Sequence, residues 1–243
     1  MVFVLPHPAF GHPPQIPKEF GEGRGRAERI YMPRILIFAN GLVPDLEKAR
    51  ALVKPDDFLI CADGGTRHAL ALGLTPHLVI GDMDSASKDE MQELKKANAP
   101  IELYPREKNE TDMELALQRA LEMNPSSMII IGALGGRLDQ TLGNLALLSD
   151  SRLTALDSRL DDGEEEVFFC RGRSEVRGGS GDLVSLIPWN SAVAGIRTQN
   201  LKWPLRGETL YPEKTRGISN EMNGDVAGIQ IESGLLLVIH RRQ

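Results

Sequence analysis

The stretch Leu78-Val79-Ile80-Gly81-Asp82-Met83-Asp84-Ser85 joins a short apolar run to two aspartates that are one residue apart. The apolar run is typical of a strand buried in a parallel sheet. If the next residues are extended, Asp82 and Asp84 point to the same side, at the strand end where α/β sheets bind ligands. Carboxylates this close repel each other unless a cation lies between them. The stretch therefore predicts a site for Mg²⁺, which is often held by one or two carboxylates and substrate phosphates. The alternative is a turn in which one Asp caps a helix.

Apolar runs alternate with amphipathic segments on both sides of this stretch. The predicted strands are residues 35–39, 58–62, 78–80, 101–104 and 128–131, and the predicted helices are 46–53, 66–72, 87–97, 111–121 and 138–148. Ser87 with Glu90, and Thr111 with Glu114, form capping-box patterns at two helix starts. This alternation predicts the α/β class, with a mostly parallel, Rossmann-like sheet and helices on both of its faces.

The pattern changes after about residue 152. Short β-branched pieces separated by glycines follow, at residues 167–170, 183–187, 193–196, 226–231 and 235–239. Such pieces predict an antiparallel β-sandwich or barrel, and the acidic run 161–166 is expected to be a solvated loop. We therefore predict an α/β domain over residues 32–155 and a β-sandwich domain over residues 156–243.

Residues 1–31 differ from the rest of the chain. They contain five prolines and no helical or strand period. They also lack the basic start, longer apolar stretch and cleavage site of a secretory signal. We predict a disordered or non-native extension, with Met32 as the candidate natural start because a strand follows at once.

The charge balance limits the kinds of partner. The 243 residues include 28 Lys and Arg against 34 Asp and Glu, a formal net charge of −6. An acidic chain without long basic runs is a poor binder of nucleic-acid phosphates, and no apolar run approaches the roughly 20 residues that cross a membrane. Cys61 and Cys170 are too few for a disulfide framework and are expected to stay reduced. We expect a cytoplasmic protein without a nucleic-acid or membrane partner.

Three other predicted strand ends carry polar or glycine-rich segments. These are Asp63-Gly64-Gly65, the residues Lys108, Asn109 and Asp112 around a helix start, and Gly135-Gly136-Arg137 followed by Asp139. Glycines let a ligand approach the backbone closely, helix starts favour anions, and an Arg fork suits phosphate oxygens. Asp139 is expected either to bind metal or to orient Arg137. Each segment alone also fits an ordinary turn or cap, but together they predict a phosphate site at one sheet edge.

Several common site motifs are absent from the sequence. It has no GxxxxGK[ST] and no GxGxxG after the first strand, which argues against the common NTPase and dinucleotide-binding families. It also has no GxSxG elbow, and its isolated histidines and missing CxxC do not form a zinc-ligand pattern.

The ordered set of segments resembles the thiamine pyrophosphokinase family. The segments that carry the resemblance are residues 62–65, 81–85, 111–112, 135–140, 181–188, 201–205 and 219–221, and the similarity covers residues 34–240. It implies an N-terminal nucleotide domain, a C-terminal β-sandwich that binds thiamine, and a homodimer with active sites at the subunit interface. The implied reaction moves the terminal pyrophosphate of ATP to the thiamine hydroxyl and leaves AMP, with Mg²⁺ as the metal.

The resemblance also implies roles for individual residues. The metal ligands would be Asp82, Asp84 and Asp112, which together with Arg137 would be the catalytic residues. The nucleotide would be bound by Asp63, Gly64, Gly65, Lys108, Gly136, Arg137 and Asp139. Thiamine would be bound by Asn109, Trp203, Ser219 and Asn220, although Trp203 also fits an aromatic core position.

Three positions depart from the family pattern, and two other functions stay open. Met83 stands where Phe is usual, Asn109 where Asp is frequent, and Gln140 where bacterial members often have His. None of these changes removes a carboxylate that the reaction requires. The alternatives are a diphosphokinase of the same scaffold acting on another hydroxymethyl acceptor, such as a pterin, and a non-catalytic nucleotide or thiamine-phosphate sensor. A sensor would be expected to lack a metal carboxylate.

Overall fold

The computed structural model describes residues 32–84 and 86–243, so the predicted extension over residues 1–31 lies outside the described residues. The chain divides into two compact units. The first unit comprises the described residues up to Asn40 and Pro55–Met128, and the second unit comprises Gly41–Lys54 and Ile129–Gln243. The domain boundary predicted after residue 155 stays a prediction.

The first unit contains the predicted parallel sheet. Its strands are β1 (Arg34–Phe38), β2 (Phe58–Ala62), β3 (Leu78–Gly81) and β4 (Ile101–Leu103), which lie side by side in that order. A 3₁₀ turn (Asp63–Gly65) precedes α2 (Thr66–Ala71), and α3 (Lys88–Lys96) and α4 (Asp112–Glu122) follow along the chain. β1, β2 and β3 are buried almost throughout, which explains why their sequences are continuous apolar runs. In β4 only Ile101 is buried.

The two predicted capping boxes have different outcomes. At α3, the Ser87 hydroxyl accepts from Glu90 N and the Glu90 carboxylate accepts from Ser87 N, so the box is complete. At α4, the Thr111 hydroxyl accepts from Glu114 N at 3.2 Å, whereas the Glu114 carboxylate contacts Gln118 instead. Only the hydrogen bond to the Thr111 hydroxyl is therefore formed in this second box. This N-cap bond is sufficient for α4 to begin at Asp112.

The second unit contains a β-sandwich, as predicted. Its helices are α1 (Leu46–Ala51), α5 (Leu138–Leu148) and α6 (Ser151–Thr154), and β5 (Ser127–Ile131) leads into it. The further strands are β6 (Asp157–Asp161), β7 (Glu165–Cys170), β8 (Arg173–Arg177), β9 (Leu183–Pro188), β10 (Val193–Gln199), β11 (Arg206–Leu210), β12 (Asn220–Glu221), β13 (Val226–Gln230) and β14 (Leu236–Arg241). Within this unit, the strands of one sheet follow the order β12-β9-β14-β7-β6-β5, and those of the other sheet follow the order β11-β10-β13-β8. Apolar side chains of both sheets, including Phe168, Leu186, Ile196 and Ile229, form one core.

The expectation that residues 161–166 form a solvated loop is wrong. Asp161 and Glu166 are buried in a β6–β7 hairpin. The Arg242 guanidinium donates two hydrogen bonds of 2.9 Å to Asp161, and Arg159 donates one of 2.7 Å to Glu166. Buried carboxylates are tolerated because cations pair with them, and Arg242 comes from a position 81 residues away along the chain.

A fully buried histidine completes this group. Nδ1 of His240 lies 3.0 Å from Glu166 and Nε2 lies 2.9 Å from Asp182. Burial alone lowers the pKa of His240, but the hydrogen bonds to both carboxylates outweigh it, so the pKa lies above its ordinary value. We call Arg159, Asp161, Glu166, Asp182, His240 and Arg242 the buried ion cluster.

Cys61 in β2 and Cys170 in β7 are both buried with free thiols. Burial raises the pKa of the Cys61 thiol to about 12. None of the described helices is long and apolar enough to span a membrane.

Candidate active site

Three carboxylates converge at the ends of two neighbouring strands of the first unit. Asp63 follows β2, Asp82 and Asp84 follow β3, and one oxygen of each lies within 4.8 Å of the others. Asp63 is only 8% exposed, whereas Asp84 is exposed. Three hard oxygen donors at this spacing suit a divalent cation such as Mg²⁺.

The backbone brings Asp82 and Asp84 together in a different way from that expected. The segment is not extended, because Met83 has a φ of 59° and lies in the left-handed region. Asp84 N donates a 3.0 Å hydrogen bond to Asp82 Oδ1, which closes a tight turn. Gly81 has a φ of 151°, and a Cβ there would lie 3.0 Å from the Asp63 Cβ. Glycine therefore allows Asp63 to pack against the end of β3.

Left-handed backbone is uncommon at non-glycine positions and marks three predicted segments among the described residues. Seven non-glycine residues have a positive φ. Four are asparagines, which tolerate this conformation in turns. The other three are Asp63, Met83 and Ser219, and each belongs to a segment that the sequence singled out. Strained backbone of this kind concentrates at functional sites.

Asp112 lies beside the three carboxylates but is paired with a lysine. Lys108 Nζ is 3.0 Å from Asp112 Oδ1 and donates a 3.2 Å hydrogen bond to the Pro105 carbonyl. Burial raises the pKa of Asp112 and the charges of Asp63 and Asp82 add to this, although Lys108 acts in the opposite direction. Asp112 is not among the three aspartates whose oxygens converge.

Two exposed residues of the same loop flank this pair. Arg106 Nε lies 3.6 Å from Asp84 Oδ2, and its side chain is 83% exposed. Asn109, a predicted thiamine contact, is exposed next to Lys108.

Gly64 and Gly65 are buried and allow the 3₁₀ turn to pack against the end of β1. A Cβ on Gly65 would lie 2.0 Å from the Phe38 carbonyl oxygen, and one on Gly64 would lie 2.5 Å from Asn40 Oδ1. Close packing therefore accounts for both glycines, and their nucleotide-binding role stays a prediction.

The predicted phosphate segment of the second unit precedes α5. Gly135 and Gly136 have φ values of 71° and 73° and are exposed. The Arg137 guanidinium donates two hydrogen bonds to the Asp139 carboxylate, from Nε to Oδ1 at 3.1 Å and from Nη2 to Oδ2 at 2.5 Å. Of the two roles open for Asp139, this geometry favours orienting Arg137. The hydrogen bond from Arg137 also lowers the pKa of Asp139.

A cavity of about 390 Å³ lies in the second unit around Trp203. Trp203 is 55% exposed, so it is not a core residue. Three cations line the cavity: Lys202, Arg206 and Arg216. Lys202 Nζ lies 4.8 Å from the centre of the Trp203 ring and 2.7 Å from Glu221 Oε2. Nothing in the sequence separated these cations from ordinary surface charges.

Asn220 and Ser219 have different environments in this cavity region. Asn220 is buried: its Oδ1 accepts from Trp203 N and Glu221 N, and its Nδ2 donates 2.7 Å to the Trp203 carbonyl. The Asn220 amide therefore fixes the backbone of Trp203. Ser219 is exposed, and its backbone N donates to Ser185 Oγ at 3.0 Å, which leaves its side chain at the surface.

Known proteins resemble the chain over both units. The family model described as "Thiamin pyrophosphokinase, catalytic domain" matches residues 49–158, and that described as "Thiamin pyrophosphokinase, vitamin B1 binding domain" matches residues 173–236. A curated thiamine pyrophosphokinase of Bacillus subtilis is 31% identical over 213 residues, which cover 86% of this chain and 98% of the relative.

Solved structures give the same result. The crystal structure of thiamine pyrophosphokinase from Bacillus subtilis has a TM-score of 0.78 at 28% identity and covers 86% of this chain and 99% of its own. The crystal structure of thiamin pyrophosphokinase from Geobacillus thermodenitrificans has a TM-score of 0.76 at 27% identity. The match covers 86% of this chain and 98% of that chain. Because both family models match in chain order and a curated relative is 31% identical over 86% of this chain, the chain belongs to the thiamin pyrophosphokinase family.

Proposed function

We propose that the chain transfers the terminal pyrophosphate of ATP to the hydroxyl of thiamine, giving thiamine diphosphate and AMP. The observation that carries this proposal is the convergence of Asp63, Asp82 and Asp84 beside Asp112, in a member of this family. Converging carboxylates suit a reaction in which a metal ion and a polyphosphate must be held together.

The residues act by positioning and by neutralising charge. Attack at the β-phosphorus develops negative charge on the β-oxygens and on the oxygen that leaves with AMP. Bound Mg²⁺, held by Asp82 and Asp84 with Asp63 or Asp112, would supply positive charge to these oxygens. Lys108 and Arg137 would donate charge-assisted hydrogen bonds to phosphate oxygens. Asp139 holds the Arg137 fork in one orientation, which reduces the entropy lost on binding.

The cavity around Trp203 is the proposed thiamine subsite. The exposed Trp203 ring offers an apolar wall for an aromatic ring, and Ser219 offers a hydroxyl at the surface. Lys202, Arg206 and Arg216 would repel the cationic thiazolium, so the neutral pyrimidine end suits this cavity better. The positively charged thiazolium suits the carboxylate site formed by Asp63, Asp82 and Asp84. Asn220 contributes by holding Trp203 in place.

A cytoplasmic homodimer is part of the proposal. The family resemblance supports the dimer with active sites at the subunit interface. Leu138 and Leu142, one turn apart on α5, are 71% and 51% exposed and give an apolar surface next to Arg137. The free thiols of Cys61 and Cys170 support a reducing compartment.

The deciding experiment incubates the purified chain with thiamine, ATP and Mg²⁺ and measures AMP and thiamine diphosphate. We expect both products in equal amounts, no product with a chelator, and recovery when Mg²⁺ is restored. A hydroxymethyl-pterin in place of thiamine tests the other acceptor. Product from the pterin alone would replace the proposed substrate, and thiamine binding without AMP would identify a sensor.

A further inference from the structure

We propose that Lys108 acts as an internal cation of the carboxylate site and leaves Asp112 when a divalent metal ion binds. In this exchange Asp112 passes from the lysine ammonium to the metal, and the ammonium turns to the phosphate oxygens of the nucleotide. The inference rests on the proposed metal and nucleotide site and adds a positioning role for Lys108 to it.

The position of Asp112 is the first observation. Asp112 interacts electrostatically with Asp63 and Asp82, two of the three aspartates whose oxygens converge. It therefore faces the same site, at the first residue of α4 where a carboxylate is favourable. Asp112 forms an ion pair with Lys108 at 3.0 Å, which is shorter and less exposed than the pair of Asp84 with Arg106 at 3.6 Å.

The environment of Lys108 is the second observation. Its side chain is 11% exposed, and an ammonium removed from water in this way needs compensating partners. Those partners are Asp112 and the Pro105 carbonyl. The Lys stem is long and flexible, so the ammonium can turn to another acceptor without moving the backbone.

Electrostatics drives the exchange. A divalent ion that Asp112 helps to hold would lie a few ångströms from the Lys108 ammonium, because Nζ is 3.0 Å from Asp112 Oδ1. Charges of the same sign at that distance in a partly buried site repel strongly. The metal also attracts Asp112 more strongly than a single positive charge does. A polyphosphate arriving with the metal supplies new acceptors, and lysine is a common phosphate ligand.

Arg106 provides a matched control. It is a second cation near the site, 3.6 Å from Asp84, but it is 83% exposed. Solvent screens such a pair, so its removal should change metal affinity little. Lys108→Met and Arg106→Met therefore remove the same charge from positions that differ in burial.

The first experiment measures Mn²⁺ affinity of the nucleotide-free protein by electron paramagnetic resonance. We expect Lys108→Met to bind Mn²⁺ about tenfold more tightly than the unchanged protein, because the competing cation is gone. Arg106→Met should stay within about twofold of the unchanged protein, and Lys108→Arg should also stay close to it because the charge is kept. Unchanged or absent Mn²⁺ binding in Lys108→Met would overturn the proposal, as would equal gains in Lys108→Met and Arg106→Met.

The second experiment uses the unchanged protein and so does not depend on the folding of a variant. Acetylation of Lys108 is followed by mass spectrometry without metal, with Mn²⁺, and with Mn²⁺ plus an ATP analogue carrying a methylene bridge between the α- and β-phosphorus. We expect Mn²⁺ to speed acetylation severalfold and the analogue to slow it again. Acetylation that Mn²⁺ leaves unchanged contradicts the exchange. Neither experiment uses thiamine or measures turnover. The proposed exchange can therefore be disproved while pyrophosphate transfer is confirmed, and pyrophosphate transfer can be disproved while the exchange is confirmed.

Discussion

The two groups of acidic residues in this chain differ in how folding treats their charge. In the buried ion cluster of the second unit, Arg242 pairs with Asp161, while His240 lies between Glu166 and Asp182. At the candidate active site of the first unit, Asp63, Asp82 and Asp84 point their oxygens at one another. Carboxylates that meet cations stabilise the fold, whereas carboxylates that meet each other leave negative charge for a ligand to neutralise. The arrangement of acidic residues, and not their number, separates the two cases.

The largest expected effect comes from Asp84→Asn. This change removes one charge from the proposed metal site, so turnover should fall about a thousandfold. The unfolding temperature should hardly change, because Asp84 is exposed. AMP release and thermal unfolding measure the two effects. Glu166→Gln is the matched control in the buried ion cluster, and it should lower the unfolding temperature instead. Near-normal turnover in Asp84→Asn would remove the metal account.

His240→Ala tests the buried ion cluster directly. The change leaves Glu166 and Asp182 without their shared partner, and breaking a buried ion pair costs about 3–5 kcal/mol of unfolding free energy. Urea unfolding at neutral pH measures this loss. The Mn²⁺ affinity of the folded fraction should not change, since His240 is not a residue of the carboxylate site. A loss of less than about 1 kcal/mol, within the range of an exposed pair, would contradict the structural role.

Arg137→Ala tests an ion pair that belongs to neither group. Arg137 and Asp139 are both exposed, so the pair adds little stability. As a donor to phosphate oxygens, however, Arg137 should account for roughly several tens of fold in turnover or more. Asp139→Asn keeps the guanidinium but loosens it, and should have a smaller effect on turnover. Steady-state AMP release compares the variants, and equal effects would show that orientation is the whole contribution of Arg137.

The pH dependence of stability should reflect His240. Its pKa in the folded protein lies above the ordinary 6.5. The stabilisation is therefore fully present below about pH 6.5 and is lost as the pH rises through the raised pKa, with a slope of at most about 1.4 kcal/mol per pH unit. The pKa values of Glu166 and Asp182 are lowered, so their contribution is lost as the pH falls into the acid range. Urea unfolding from pH 5 to pH 9 measures the slope, and His240→Ala should lack the alkaline decline.

The smallest expected effect is a gain in the free energy of unfolding, produced by Met83→Gly. Met83→Gly relieves the left-handed backbone between Asp82 and Asp84, and this gain is partly offset by the greater freedom of glycine when unfolded. We expect stabilisation of about 0.5 kcal/mol. Asn98→Gly is the control at a similar φ of 51° and should change the unfolding free energy less, because Asn tolerates this conformation. Urea unfolding compares the two, and a larger gain for Asn98→Gly would show that Met83 is not strained.

The sequence predicts the fold wherever burial is continuous along the chain. β2 begins and ends at the expected residues and is buried in four of its five positions, since a continuous apolar run reports burial directly. α5 also has the expected bounds, although only Leu148 is buried. β8 was not predicted because its sequence is RSEVR and only Val176 faces the core. β6, β11 and β12 are also rich in polar residues. β8 pairs with β13 and β12 pairs with β9, strands that lie far away along the chain, and local patterns do not report such pairing.

The sequence indicates which residues form the site, but not the backbone geometry and long-range contacts that position them. Asp63, Asp82 and Asp84 converge as expected for ends of adjacent strands, yet the turn at Met83 brings the last two together. The bonds of Asn220 to Trp203, 17 residues earlier, depend on how β12 returns to the loop. Arg242, the partner of Asp161, lies 81 residues later along the chain, directly after β14. Sequence patterns indicate which residues are chemically able to form a site, whereas long-range contacts decide which of them are used for structure.

The burial of the two cysteines has a practical consequence for labelling. At neutral pH a thiol with a pKa near 12 is almost never a thiolate, and the thiolate is the reactive form. Cys170 has no exposed surface at all, so reagents cannot reach it in the folded protein. A cysteine introduced at an exposed position such as Lys214 should therefore react alone with a fluorescent maleimide, without removal of either native cysteine.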